Sequence, residues 1–452
     1  MSGYENYTLS PVPWIKQMPE HWGLVRGKNL YQKMQRPTSD TDEVVTCFRD
    51  GTVTLRKNRR TTGFTESLKE IGYQGIRKGD LVIHVMDAFA GSIGVSDSDG
   101  KGTPVYSVCQ AKGNSNNQYY ALLLREMARS GYIQSLYRGI RERSSDFRFE
   151  VFAAQFYPVP PREEQDQIVR FLNWKVSSIN KLIRIRKRQI EELEAIKRSS
   201  IGYLVMGQAQ SIPQRDTGVN WVKTIPAHWN EKTLIQVAEE QQIKNAGMIE
   251  DTLLSLSYGK IINKDINTTD GLLPSSFEGY QIVHDGNIIL RLTDLQNDHK
   301  SLRTGLVTQT GIITSAYTCL KVRHNILPEY LRLQLHVADL CKVFYGMGGG
   351  VRQSIGFKEI RKLVIAIPPV EEQQHILDSV HSIEKPINCA IQNSRDIIAG
   401  LEDLKMRLIS DTVTGKIDVR GIEIPEYEFV DEDNDNVDEN LEQGADEPPE
   451  EE

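Results

Sequence analysis

Asp285 and the run Asp298-His-Lys300 offer the residue types of a metal-dependent nuclease, two carboxylates for a divalent cation and a lysine beside the scissile phosphate. Asp298, however, lies in Gln-Asn-Asp-His-Lys-Ser, which reads as a loop rather than as the strand such a site stands on. Phe89-Ala-Gly91-Ser-Ile-Gly94 has the glycines of a methyl-donor loop, but no Asn/Asp-Pro-Pro-aromatic run follows to grip a flipped base. Gly346-Met-Gly348-Gly349-Gly350-Val-Arg352-Gln353-Ser354 lacks the Lys-Ser/Thr pair that a phosphate-binding loop uses. Cys47, Cys109, Cys319, Cys341 and Cys389 are spaced too widely for a zinc or redox pair, so no metal site is expected and a reducing cytoplasm fits best. His21 and His228 each stand between Pro-x and Trp, where packing or capping is expected. No catalytic residue is therefore expected in this chain.

The remaining chemistry is that of contact. Reading DNA takes Lys and Arg for phosphates, and Arg, Asn, Gln or Ser for base edges. Arg56-Lys57-Asn58-Arg59-Arg60-Thr61-Thr62 is a basic loop, and Lys264-Asp-Ile-Asn267-Thr268-Thr269, preceded by Lys260, is its counterpart further along. Arg138-Gly139-Ile-Arg141-Glu-Arg143-Ser144-Ser145 corresponds in the same way to the run ending Arg352-Gln353-Ser354, whose glycines let backbone approach phosphate closely. Arg291 and Arg303 flank one more loop. Arg352 and Gln353 are the candidates for base reading, and Lys57 is one for phosphate.

The overall charge of −7 conceals a basic body. No Lys or Arg follows Arg420 but 15 acidic residues do, which leaves residues 1–420 at +8. The aromatic-poor acidic end suits a disordered tail that could compete for the body's own phosphate-binding surface. At 452 residues and 39% hydrophobic content, two or three globular domains are expected. The N-terminus lacks the order of a signal peptide and no apolar run reaches the roughly 18 residues of a membrane span.

The elements that must position these loops occur twice. Trp14-Ile-Lys-Gln-Met-Pro19-Glu-His21-Trp22 matches Trp221-Val-Lys-Thr-Ile-Pro226-Ala-His228-Trp229, a displacement of 207. Gly51, Gly63, Tyr73-Gln74 and Gly79-Asp-Leu-Val-Ile match Gly259, Gly271, Tyr280-Gln281 and Gly286-Asn-Ile-Ile-Leu at 207 or 208. The framework residues match while the basic loop tips differ, as two related readers of different sequences would. Each half reads as mixed α/β, with strands expected near 44–48, 81–85, 253–257 and 288–292 and helices over 119–127 and 328–341.

Pro160-Pro161-Arg-Glu163-Glu164-Gln165 matches Pro368-Pro369-Val-Glu371-Glu372-Gln373, and each reads as a helix N-terminus, since proline is tolerated there and Glu complements the dipole. Heptad stripes follow. One comprises Ile168, Leu172, Lys175, Ile179, Leu182, Arg186, Gln189, Leu193, Ile196 and Ser200. The other comprises Ile376, Val380, Ile383, Ile387, Ala390, Ser394, Ile397, Leu401, Leu404 and Leu408. Arg186 and Ser394 take equivalent places, and Pro386 is expected to kink or split the second helix.

This order of two globular segments and two helices, opened by WxKx[MI]PxHW and punctuated by PPxEEQ, resembles the specificity subunits of type I restriction-modification systems over about residues 10–416. The resemblance implies target-recognition domains at 1–160 and 217–367, helical regions at 161–216 and 368–416 that form an antiparallel coiled coil, and a tail at 417–452 on which it is silent. It further implies double-stranded DNA as ligand, one half of a bipartite site per domain, and helices that dock two adenine-methylating modification subunits, joined by restriction subunits. S-adenosylmethionine, ATP and Mg would then belong to those partners. A nuclease or methyltransferase acting alone, and a coiled-coil scaffold unrelated to DNA, are the alternatives.

Overall fold

The computed structural model describes residues 2–59, 71–136, 146–208, 212–219, 221–266, 274, 276–295, 302–323, 325–347 and 354–431. The chain divides into two compact units, Met1–Lys187 with Arg395–Glu452, and Arg188–Ser394. In the first, strands β1 (Tyr31–Met34), β2 (Val45–Cys47), β3 (Val53–Leu55), β4 (Leu81–His84), β5 (Ile93–Val95) and β6 (Tyr106–Ala111) precede helix α1 (Asn117–Arg129) and the long helix α2 (Arg162–Val205). The sheet runs β1-β6-β4-β5, all antiparallel, with β2 and β3 paired as a separate hairpin. The second unit has β7 (Ala238–Gln241), β8 (Leu254–Ser257), β9 (Lys260–Asn263), β10 (Ile288–Leu290), β11 (Thr304–Leu306), β12 (Thr318–Val322), α3 (Pro328–Leu340) and the long α4 (Val370–Val413). Its sheet runs β7-β12-β10-β11, again antiparallel, beside the hairpin β8–β9.

Side chains of a strand alternate between faces, and the central strands show what each face covers. Leu81 and Ile83 enter the core shared with α1, whereas Val82 joins Val45, Cys47 and Val53 under the hairpin. Ile288 and Leu290 pack with α3, and Ile289 joins Leu254 and Leu256. Each unit is therefore layered as helix, sheet and hairpin. The uninterrupted apolar runs Leu-Val-Ile and Ile-Ile-Leu are what a strand covered on both faces requires.

The PPxEEQ segments start helices as expected, α2 at Arg162 and α4 at Val370. Glu164 accepts hydrogen bonds from the Tyr4 hydroxyl (2.6 Å) and the Trp22 indole (2.9 Å), and lies 2.8 Å from His21 Nε2. Burial and the adjacent Glu164 carboxylate push the Tyr4 phenol well above its ordinary value, so it stays a donor. Glu372 takes the equivalent bonds from Trp229 (3.0 Å) and His228 (2.8 Å). Gln165 and Gln373 donate to the Pro160 and Pro368 carbonyls and accept the amides of Asn116 and Leu327, tying each helix start to the segment before α1 or α3. The same tryptophans close on the opposite helix ends. Gly415 and Gly207 have φ of 77° and 66°, and a Cβ there would lie 2.8 Å from the Trp22 and Trp229 rings respectively. The repeated WxK…PxHW segment thus holds the start of one long helix and the finish of the other within each unit.

In the first unit Ile168, Leu172, Ile179 and Ile183 of α2 share a core with Leu408 and Val413 of α4; in the second Ile201 and Val205 share one with Ile376, Leu377 and Val380. The long helices pack together, although not along the whole expected stripe. Leu193, Ile383, Ile387 and Leu401 are half-buried, but Ile196 and Leu404 are 55% and 52% exposed, and Leu182 and Ile397 also face solvent. Ile183, Ile391 and Lys405 are buried in their stead. Residues i+3 and i+4 lie on either side of i around a helix, so both keep the heptad period. From Ile179, Ile387 and Leu401 the inward row steps by four to 183, 391 and 405, not by three. Pro386 does not split α4, which runs unbroken from Val370 to Val413.

The segment 417–431, expected to be disordered, lies along α2 in the first unit. Ile422 and Ile424 pack on its core and Val430 is buried. Gln167 donates to the Val419 and Ile422 carbonyls, Ser177 pairs with Glu428 O and Val430 N, and Asn180 donates to Val430 O. Three apolar side chains and an edge of amide and hydroxyl partners outweigh an acidic composition. Charge counting alone missed them.

Candidate nucleic-acid interface

Among the described residues, the basic loops singled out lie at strand ends, and their side chains divide into buried anchors and exposed groups. In the first unit Arg56–Asn58 forms one 3-10 turn after β3. Lys57 is exposed and paired at 2.6 Å with Glu43, Asn58 donates to Thr54, and Arg56 reaches Thr46 at 3.4 Å. Arg59 is different. Its side chain is only 10% exposed, bonded to Asp50 at 2.6 Å with its guanidinium 4.5 Å from the Phe48 ring centroid. It holds the tip of the β2–β3 hairpin and does not point outward, which corrects its expected role. Arg49 on the same tip bonds Asp87 at 3.1 Å, tying residues 48–52 to the loop after β4.

In the second unit Arg303, expected to contact DNA, is wholly buried. Its guanidinium donates to the carbonyls of Arg291 (3.1 Å), Thr293 (2.8 Å) and Asp294 (3.3 Å) and to the Tyr345 hydroxyl (3.1 Å), and its amide donates to Asp339 (3.0 Å). A planar fork with five N–H donors suits a site where several carbonyls converge. Arg303 therefore fixes the loop 291–295 and the turn Val343–Gly346 against the end of α3, a positioning task. Nothing in the sequence separated it from a surface arginine. Asp339 and Tyr345 also escaped notice. Arg291 is half-buried and its carbonyl is one of the anchored ones, while Lys260 and Lys264 are exposed on and just beyond β9. Asp285 occupies the turn before β10. Arg60, Arg138, Arg141, Arg143, Asp298, Lys300, Arg352 and Gln353 lie outside the described residues. Among the described residues, no helix is long and apolar enough to cross a membrane.

The two layered units present dissimilar basic loops on a shared frame. Residues 304–397 match the family described as type I restriction modification DNA specificity domain. Its fold is similar to a chain in a structure described as the structural basis underlying complex assembly and conformational transition of the type I R-M system. That match has a TM-score of 0.64 and 15% identity, and spans 88% of this chain and 99% of that one. The HsdS subunit from Thermoanaerobacter tengcongensis matches at 15% identity over 88% and 98% of the two chains with a TM-score of 0.45. The type I restriction-modification S subunit from M. genitalium matches at 12% identity over 92% and 100%, with a TM-score of 0.34.

Proposed function

We propose that this chain is the non-catalytic reader of a type I restriction-modification complex, each unit recognising one half of a bipartite DNA site. The observation that carries the reading is a frame built twice with the same sheet order, whose loops differ in charge and in how they are anchored. Exposed apolar residues on the long helices, Leu182, Ile185, Ile196, Ile397 and Leu404, give modification subunits a surface to dock on. S-adenosylmethionine, ATP and Mg serve the partner subunits, and the complex works in the cytoplasm on double-stranded DNA. Replacing residues 217–366 with the matching segment of a related subunit tests this. Mapping of methylated adenines should show one half of the recognised sequence changed and the other kept; a change in both halves, or in neither, would remove the modular reading.

A further inference from the structure

The β8–β9 hairpin pairs Ser257 with Lys260, which leaves Tyr258 and Gly259 as a two-residue turn. Both have positive φ, 46° and 75°. Such turns match the twist of the flanking strands, and their first position is normally Asn, Asp or Gly, because a larger side chain is strained in the left-handed region. Tyr258 pays that cost without packing in return, since 86% of it is exposed. Asn in its place would relieve the strain and expose less apolar surface, so the isolated fold has no use for an aromatic ring here. Strain of this kind, observed at a surface, points toward a ligand.

The surroundings say which ligand. A Cβ on Gly259 would lie 3.2 Å from the Leu302 side chain, and Leu302 precedes Arg303, the anchor of loop 291–295 and of the Val343–Gly346 turn. The hairpin tip therefore belongs to the loop cluster already described. Residues 254–264 contain no acidic side chain and two exposed lysines, Lys260 and Lys264, which suits a polyanion. The equivalent tip of the first unit is longer, residues 48–52, and is tied down by Arg49 and Arg59. The two tips differ as reading elements should.

We propose that Tyr258 inserts its ring into a groove of the bound duplex and is a specificity-determining contact of the second unit, an inference that rests on the DNA-reading function above. The test uses the full-length chain in its assembled complex, with fluorescein-labelled duplexes that the unaltered complex selects from a randomised pool, and scrambled duplexes as reference. Tyr258→Asn should raise the melting temperature of the chain by about 2–4 °C and yet weaken binding to the selected duplexes roughly tenfold to a hundredfold, the range of a lost groove contact. Tyr258→Phe keeps the ring and the strain and should bind within about threefold of the parent. Unchanged affinity of Tyr258→Asn overturns the proposal, as does a loss explained by a lower melting temperature. A defect confined to assembly with the partner subunits also overturns it, since the tip would then be a protein contact. If the unaltered complex selects no duplex at any salt concentration, the DNA-reading function itself fails, an outcome distinct from the others.

Discussion

The first unit secures its loops with single ion pairs, the exposed Arg49 to Asp87 and the largely buried Arg59 to Asp50, whereas the second relies on Arg303, a wholly buried residue that gathers three carbonyls and a tyrosine hydroxyl. The frames beneath are the same, down to the tryptophan and glutamate that clamp each long helix. Repetition has preserved what sets the fold and has let each unit solve loop anchorage separately. The loops can then diverge without disturbing the sheet, because their anchors are not part of the shared frame.

Removal of Arg303 should break this contrast most sharply. Arg303→Ala strands the carbonyls of Arg291 and Thr293 and leaves a side-chain-sized void, which should destabilise the second unit by about 3–5 kcal/mol. Arg59→Ala in the first unit removes a partly solvated pair and should cost about 1 kcal/mol. Hydrogen exchange followed by mass spectrometry can read the units separately. Equal losses in the two units would mean that the anchors are equivalent after all.

Much of the frame was legible in the sequence because its signals are local. Prolines and glutamates start helices, and apolar triplets mark strands covered on both faces. Loop roles were not legible, since Arg303 and Lys57 carry the same charge in a sequence although one is buried and the other exposed. The heptad row was half legible for a geometric reason. Steps of three and four are equally periodic, and only the position of the facing helix decides between them. Paired substitutions on α4 sharpen the distinction. Ile391→Asp places an unpaired carboxylate in a buried position and should cost about 3 kcal/mol in urea unfolding. Leu404→Asp, on the exposed side, should change stability by under about 0.5 kcal/mol while reducing co-purification with the modification subunit. If Leu404→Asp proved the more destabilising of the two, the inward row would have to be the one stepping by three.

A last contrast concerns pH and divides the units once more. The ninth residue of α1 is Arg125, and the ninth of α3 is His336. Burial pushes His336 down to about 4, helped by the positive charges of Arg332 on the same helix and Lys197 on α2. In the unfolded chain it returns to its ordinary value of 6.5, so between pH 6.5 and 4 the unfolded state binds a proton that the folded state refuses. By linkage, stability then rises with pH through this window, and the second unit loses on the order of 2–3 kcal/mol as pH falls from 7 to 4. An arginine is not deprotonated in proteins, so the equivalent helix position of the first unit adds no such dependence. His336→Gln removes the titration, so the stability difference between variant and parent, measured by urea unfolding, should move in the variant's favour as pH falls from 6.5 to 4 and stay level above 7. A difference independent of pH would show that His336 is protonated alike in both states, and the acid sensitivity of the second unit would have to come from another residue.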